Sequence, residues 1–274
     1  MIQRLLFTLV AFLTSLFFIL PILWMLSSAL RPQAEIFRTL SPLSVEAFLP
    51  TTLDTSNFQN LLQGNYPRAV LNSVVVASGT VVIGLLISSA AAFGLSAIEF
   101  RGREVVFAIV VISFMVPFEV ISIPLAQIVR ENRINNSFIS LILPGVANGL
   151  AIFLLRQFFL GIPRELIQAA QVDGAGWWKI FYGIFLPLSK PALIGAGLIL
   201  FIWQWQSYLW PLMIISDNSM DVAPVALAKY MGQFDFDFGQ MFAGAVILSL
   251  IPTLILLPLQ RYFTQSITLS GIKE

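Results

Sequence analysis

The sequence contains no cysteine and no histidine, and charge is scarce: Asp, Glu, Lys and Arg make up 11% of its 274 residues. Without cysteine there is no disulfide and no thiolate chemistry, which leaves the redox compartment undetermined. Without histidine the chain lacks the commonest metal ligand and the commonest general base. A formal net charge of +1 offers no clustered basic footprint, so nucleic acid is not an expected partner. Soluble domains carry about 25% charged residues. Here 58% of residues are apolar, and too little polar surface is left for water. A bilayer is the expected solvent.

What the chain does have is long apolar runs. A helix crossing the hydrocarbon layer needs about 20 mostly apolar residues. Six runs qualify: Leu5 to Leu26, Leu71 to Ile98, Val105 to Val129, Ile139 to Phe159, Pro191 to Met213 and Phe242 to Gln260. The first is too long for the apolar stretch of a signal peptide, and no Ala-x-Ala-like site follows it before Arg31. It reads as a retained helix. The expectation is an all-α, polytopic membrane protein with six transmembrane helices, residues 1–274 forming one membrane domain without internal repeats. With both termini cytoplasmic, nine Lys and Arg fall inside and six outside, which favours that orientation.

The stretch at 161–187, between the fourth and fifth runs, is the most informative. Pro163 suits a helix first turn, and Arg164 to Ala170 are good helix formers. Gly174 can take the left-handed conformation that ends a helix. Trp177 to Ile184 read as a second short helix, stopped by Pro187. The result is a helix–Gly–helix elbow whose corner carries Ala169, Ala170, Gly174, Ala175 and Gly176, small enough for a partner surface to approach closely. Trp177, Trp178 and Phe181 are anchors of the kind found at interface centres. Interfacial anchoring in lipid is the other reading of the tryptophan pair.

The spacing Ala169-Ala170, three residues, Gly174, nine residues, Ile184, one residue, Leu186-Pro187 resembles the EAA loop of ABC importer permeases, in particular the carbohydrate-uptake, maltose-type branch. Leu71-Asn72-Ser73, Phe100-Arg101-Gly102-Arg103, Phe153 to Phe159, Tyr208 to Leu212 and Gln260 to Phe263 extend the likeness over nearly the whole chain. The resemblance implies a type I importer fold in the bacterial cytoplasmic membrane. It implies an elbow seated in a cleft of a separate ATPase, with Glu165, Gln168, Ala169, Ala170, Asp173, Gly174, Ala175, Trp178, Ile184, Leu186 and Pro187 as coupling residues. It also implies a second homologous permease, two ATPase subunits that hold ATP and Mg, and an external solute-binding protein. One departure stands out: the family's motif normally begins with Glu, and here Gln168 keeps the hydrogen-bonding reach without the charge. Glu165, three residues earlier on the same helix face, is the candidate stand-in. The tail at 261–274, with Ser270-Gly271-Ile272-Lys273, is similar to the short tail that inserts between ATPase subunits in this branch.

Solute contacts are sought among polar groups inside the runs, because ionisable groups in hydrocarbon are costly and face a cavity or a partner. Glu119 is the only acidic residue well inside a run, and Asn148 reads as a mid-helix amide among small residues. Pro117, Pro124 and Pro144 lack backbone donors and can kink these helices. In the fifth run, Trp205, Gln206 and Tyr208 combine aromatic faces with an amide, which suits a sugar ring and its hydroxyls. Continued as one helix, that run places Trp203 with Ser207 and Gln206 with Trp210. The same residues also read as an aromatic belt at the membrane surface. The segment ending Phe234-Asp-Phe-Asp-Phe-Gly239 is a candidate docking surface for an external protein, or simply a covering loop.

Energy must come from elsewhere, since no Lys is followed by Ser or Thr and the chain has no phosphate-binding loop. No cofactor is expected on this chain. A self-sufficient secondary transporter would normally show an internal repeat or buried coupling carboxylates. An intramembrane enzyme would need nucleophile–base or metal constellations that are missing. The leading expectation is a permease subunit importing a sugar, polyol or glycosylated osmolyte.

Overall fold

The computed structural model describes residues 2–38, 40, 44–50, 52–232 and 236–271, with residues 2 and 261–271 as backbone only. Three apolar runs form continuous helices: α1 (Ile2–Ala29), α3 (Tyr66–Ala97) and α14 (Phe238–Gly271), each long and apolar enough to cross a bilayer. A short helix α2 (Ser56–Gln63) precedes α3.

The other three runs are broken. The third divides into α4 (Arg103–Met115) and α5 (Phe118–Glu131), bent by 94°. The fourth divides into α6 (Phe138–Val146) and α7 (Gly149–Leu160), bent by 43°. The fifth begins as α11 (Lys190–Trp205), stops at Gln206, and resumes as α12 (Leu209–Ile214). Of the three prolines expected to kink these runs, only Pro117 lies at a break, where it caps α5 with ψ 133°. Pro124 and Pro144 sit inside α5 and α6. The break in the fourth run is set instead by Asn148. Its Oδ1 accepts from the Ala151 N–H (3.0 Å), satisfying one of the donors that a new helix start leaves open.

The helices group into two compact units. The first comprises residues 1–71 and 221–251. Its core is built largely of alanines (Ala29, Ala69, Ala223, Ala226, Ala243) around Leu61 and Tyr66, whose hydroxyl donates to the Gly244 carbonyl (2.8 Å). Asn57 Nδ2 donates to the carbonyls of Ala29 and Arg31 just where α1 runs out. The expected loop segment Phe234 to Gly239 lies partly outside the described residues; from Phe236 onward it contributes one antiparallel bridge to Met231 and then enters α14.

The second unit comprises residues 72–220 and 252–274. Its core gathers Phe93, Leu155, Phe159, Ile180, Phe181, Phe185 and Leu200 with small residues Ala92, Ala151 and Ala196. Arg156 is buried at the edge of this core. Its Nε donates to the Leu95 carbonyl (2.9 Å), its Nη2 pairs with Glu104 (2.7 Å), and its guanidinium lies 3.8 Å from the centre of the Phe107 ring. One side chain thereby ties α3, α4 and α7 together.

Candidate functional site

Two regions of the second unit carry candidate functional residues. The first is the elbow. Its leading arm is α8 (Arg164–Val172), capped by Pro163, one position earlier than the first-turn placement expected. Gly174 has φ +78°, the left-handed conformation that its position requires. The Gly174 N–H bonds to the Gln171 carbonyl (3.0 Å) and the Ala175 N–H to the Ala170 carbonyl (2.8 Å). This pair of bonds closes the end of α8 as a complete Schellman motif.

The second arm runs Trp177–Leu188, longer than the Trp177 to Ile184 helix expected, and it does not stop at Pro187. It comprises α9 (Trp177–Ile180), a π-helical turn (Phe181–Phe185) and α10 (Leu186–Leu188). Pro187 has no N–H for the carbonyl four residues back and its ring crowds that carbonyl; the widened turn relieves both. The chain then bends by 82° into α11 at Ser189.

The elbow is two-faced. Ile180, Phe181 and Phe185 are buried against Phe93 and Phe159, while Ile167, Ala170, Ala175, Ile184 and Leu186 pack at the margin of the same core. Glu165, Gln168, Ala169, Asp173, Gly174, Trp178 and Pro187 are exposed. No residue of α8 is buried, and Val172 is 88% exposed. Trp177 packs edge-on to Phe93, whereas Trp178 stacks on Tyr182 and is 70% exposed. Arg164 Nη1 pairs with Glu99 (2.8 Å), linking the start of α8 to the segment after α3. The tail at 261–274 lies outside the side chains described, and residues 272–274 outside the described residues altogether.

The second region is where the broken helices meet. At 1.5 Å per residue, α4, α7 and α11 rise about 18–24 Å from their elbow-side ends before they break. All three breaks therefore lie 12 to 16 residues from the elbow-side ends of their helices. Glycines bring them together. At Gly149, just past the α6–α7 break, an added β-carbon would lie 2.9 Å from the Val110 carbonyl and 3.2 Å from Ser113 Oγ on α4. At Gly145, just before it, one would lie 2.8 Å from Gln204 Oε1 on α11 and 2.8 Å from Thr80 Cγ2 on α3. Trp210 Nε1 donates to the Ser140 carbonyl (2.9 Å), and its ring meets Phe118 edge-on, joining α12 to α6 and α5.

Five residues were expected at the solute path. Glu119 is exposed in the first turn of α5. Asn148 is not mid-helix; it is the cap described above, half-buried with its Oδ1 engaged by the Ala151 N–H. Gln206 does not share a helical face with Trp210, because α11 ends at Trp205 and Gln206 is its C-cap. Trp203 and Ser207 are separated from a common face by the same break. Trp205 is buried, stacked on Phe201 at 5.6 Å, so its ring packs within this chain. Gln206 and Tyr208 are exposed at the break. Sequence reasoning missed Arg156 with Glu104, and Thr80 with Gln204. The signal for the second pair is present in the sequence: an amide nine residues from the end of the fifth apolar run, two positions before Gln206.

A family model described as "Binding-protein-dependent transport system inner membrane component" matches residues 81–269. The arabinooligosaccharides transport system permease protein AraQ of Halalkalibacterium halodurans is 33% identical over 258 residues, covering 93% of this chain and 91% of that protein. The lactose transport system permease protein LacG of Rhizobium radiobacter is 29% identical, covering 96% of this chain and 93% of that protein. Among solved structures, a chain of a bacterial ABC transporter involved in import of the acidic polysaccharide alginate superposes with TM-score 0.82 at 21% identity, over 96% of both chains. That likeness establishes the type I permease fold.

Proposed function

Because the chain belongs to the binding-protein-dependent transport system inner membrane component family, and is thus a membrane permease subunit of an ABC importer rather than an enzyme, we propose that it forms half of the translocation path for a sugar or sugar-like solute. The observation that carries this reading is that three apolar runs break close to one another, around Gly145, Gly149 and Trp210, with Pro117, Ala147, Gln206 and Tyr208 exposed at the breaks. Irregular backbone at membrane depth is tolerated only where it lines a water-filled cavity or is covered by protein. Breaks that this chain leaves exposed therefore call for a path on one side and a second permease on the other. The relatives named for arabinooligosaccharides and lactose point the solute class toward saccharides.

The elbow supplies the coupling. Its buried face fixes it to the bundle through Ile180, Phe181 and Phe185, and its exposed face presents Gln168, Val172 and Trp178 to an ATPase cleft. A push on the exposed face is transmitted to α11 as a rigid displacement, because a packed aromatic core does not compress. ATP and Mg belong to the two ATPase subunits, and both termini lie on their side of the membrane. Glu119, Asn148, Gln206 and Tyr208 line the path, while Trp205 supports it from within the bundle.

The test is ATP-dependent uptake by the complex that purifies on a tag on this chain, reconstituted with its external binding protein. Labelled arabinotriose and lactose serve as probes. Uptake that needs internal ATP and the binding protein is the expected result. Uptake driven by an ion gradient without ATP would refute it.

A further inference from the structure

We propose that Gln204 is a solute-contacting, specificity-determining residue, its amide clamped so that the NH2 end faces the translocation path. The proposal rests on the reading of the helix breaks as that path. Gln204 stands in the last turn of α11, two residues before the break at Gln206, and is half-buried. Its Oε1 accepts a hydrogen bond from the Thr80 hydroxyl (3.2 Å), and Thr80 itself is buried. From the other side, α6 passes so close at Gly145 that any side chain would strike both Gln204 Oε1 and Thr80 Cγ2. The carbonyl end of the amide is thus fixed by a hydroxyl on α3 and a bare backbone on α6.

An amide is planar, so fixing one end aims the other. Among the described residues no acceptor of this chain meets Gln204 Nε2. Two N–H donors left without a partner in hydrocarbon are costly, and Gly145 lies only two residues before the α6–α7 break. The donors therefore face the shared path, where a solute hydroxyl can accept from them. Rigid placement is what distinguishes Gln204 from Gln206, which caps α11 at an exposed position, makes no side-chain hydrogen bond among the described residues and can turn to suit different solutes. A held donor reads hydroxyl position; a turning one does not.

The experiment compares initial ATP-dependent uptake of arabinotriose and lactose by the reconstituted complex, for the wild type, Gln204→Leu and Thr80→Val. Gln204→Leu is expected to change the ratio of the two uptake rates on the order of fivefold, the scale of one hydrogen bond. Thr80→Val keeps the amide but frees it to rotate, and is expected to shift the ratio in the same direction by less, through KM rather than kcat. A ratio unchanged within about twofold in both variants, with rates for the two probes falling together, overturns the proposal and makes the Thr80–Gln204 bond purely structural. Loss of the second permease from the Gln204→Leu complex also overturns it, since the donors would then bond across the subunit interface. Uptake driven by an ion gradient without ATP removes the path reading itself, and this proposal with it.

Discussion

Replacing Gly174 by alanine, asparagine or leucine separates the conformational requirement at the elbow corner from its size requirement. An added β-carbon at Gly174 meets no atom of this chain within 4 Å, so no intramolecular clash contributes to the cost. What remains is the backbone: at φ +78° a β-carbon costs about 1–2 kcal/mol. That amounts to a roughly 5–30-fold drop in the fraction of molecules holding the corner closed. Asparagine, which tolerates the left-handed region, loses less. Leucine carries the full backbone cost and adds a branched side chain to a corner that is open in this chain, where only a partner can be obstructed. The expected order of ATPase association and of coupled transport is Gly, then Asn, then Ala, then Leu. The assay is association of the purified ATPase with the detergent-solubilised permease pair, alongside solute-stimulated ATP hydrolysis in proteoliposomes. Thermal unfolding of the permease pair controls for bundle integrity and is expected to be unchanged, since α8 buries no residue. Normal association and normal coupling in Gly174→Leu would refute the assignment of this elbow as the transmission surface.

Three further outcomes are expected. Gln168→Glu, which restores a charge on the exposed face of α8, is expected to strengthen ATPase association in low salt; weaker association would mean the cleft offers no basic partner and a carboxylate is buried unpaired. At the buried guanidinium the two partners differ: Arg156→Ala strands the Leu95 carbonyl and is expected to cost roughly 1–3 kcal/mol, while Glu104→Ala, removing a carboxylate 66% exposed, is expected to cost less than about 1 kcal/mol; equal losses in thermal unfolding would contradict the burial argument. Gly239→Ala forces its β-carbon onto the Asn57 side chain, which already bonds the carbonyls ending α1, and is expected to destabilise the first unit, measured as faster hydrogen exchange around α2 and the end of α1.

The elbow was legible in the sequence because its signals are local. A left-handed glycine, a proline at the helix start and an alternation of small and aromatic residues each act within a few residues, and Gly174 takes the conformation that its position implied. The apolar runs were legible by length alone. Their interruptions were not, because a run of apolar residues reads the same whether it forms one helix or two. Asn148 illustrates this: an amide among small residues suits a mid-helix polar group and a cap equally well, and only the fold decides between them. Pro144 pointed to a kink and sits inside a helix, whereas the break three residues on has no proline. Likewise Thr80 and Gln204 are 124 residues apart, and no periodicity within one run joins them.

The broken helices also bear on how the chain enters the membrane during synthesis. α1 and α3 are each long enough to leave the insertion machinery alone and remain stable in lipid. The pieces α4 to α7 are 9 to 14 residues long, and none can span by itself. Each pair must be admitted as a bent unit whose exposed peptide groups have no acceptor in hydrocarbon until neighbouring helices arrive. The neighbour that closes against Gly145 is α11, made some 50 residues later. Between those two events the middle of the chain is held by whatever shields polar backbone in the membrane, be it the insertion machinery, a membrane chaperone or the partner permease, and it is there that slowed synthesis or a missing partner would expose it to degradation.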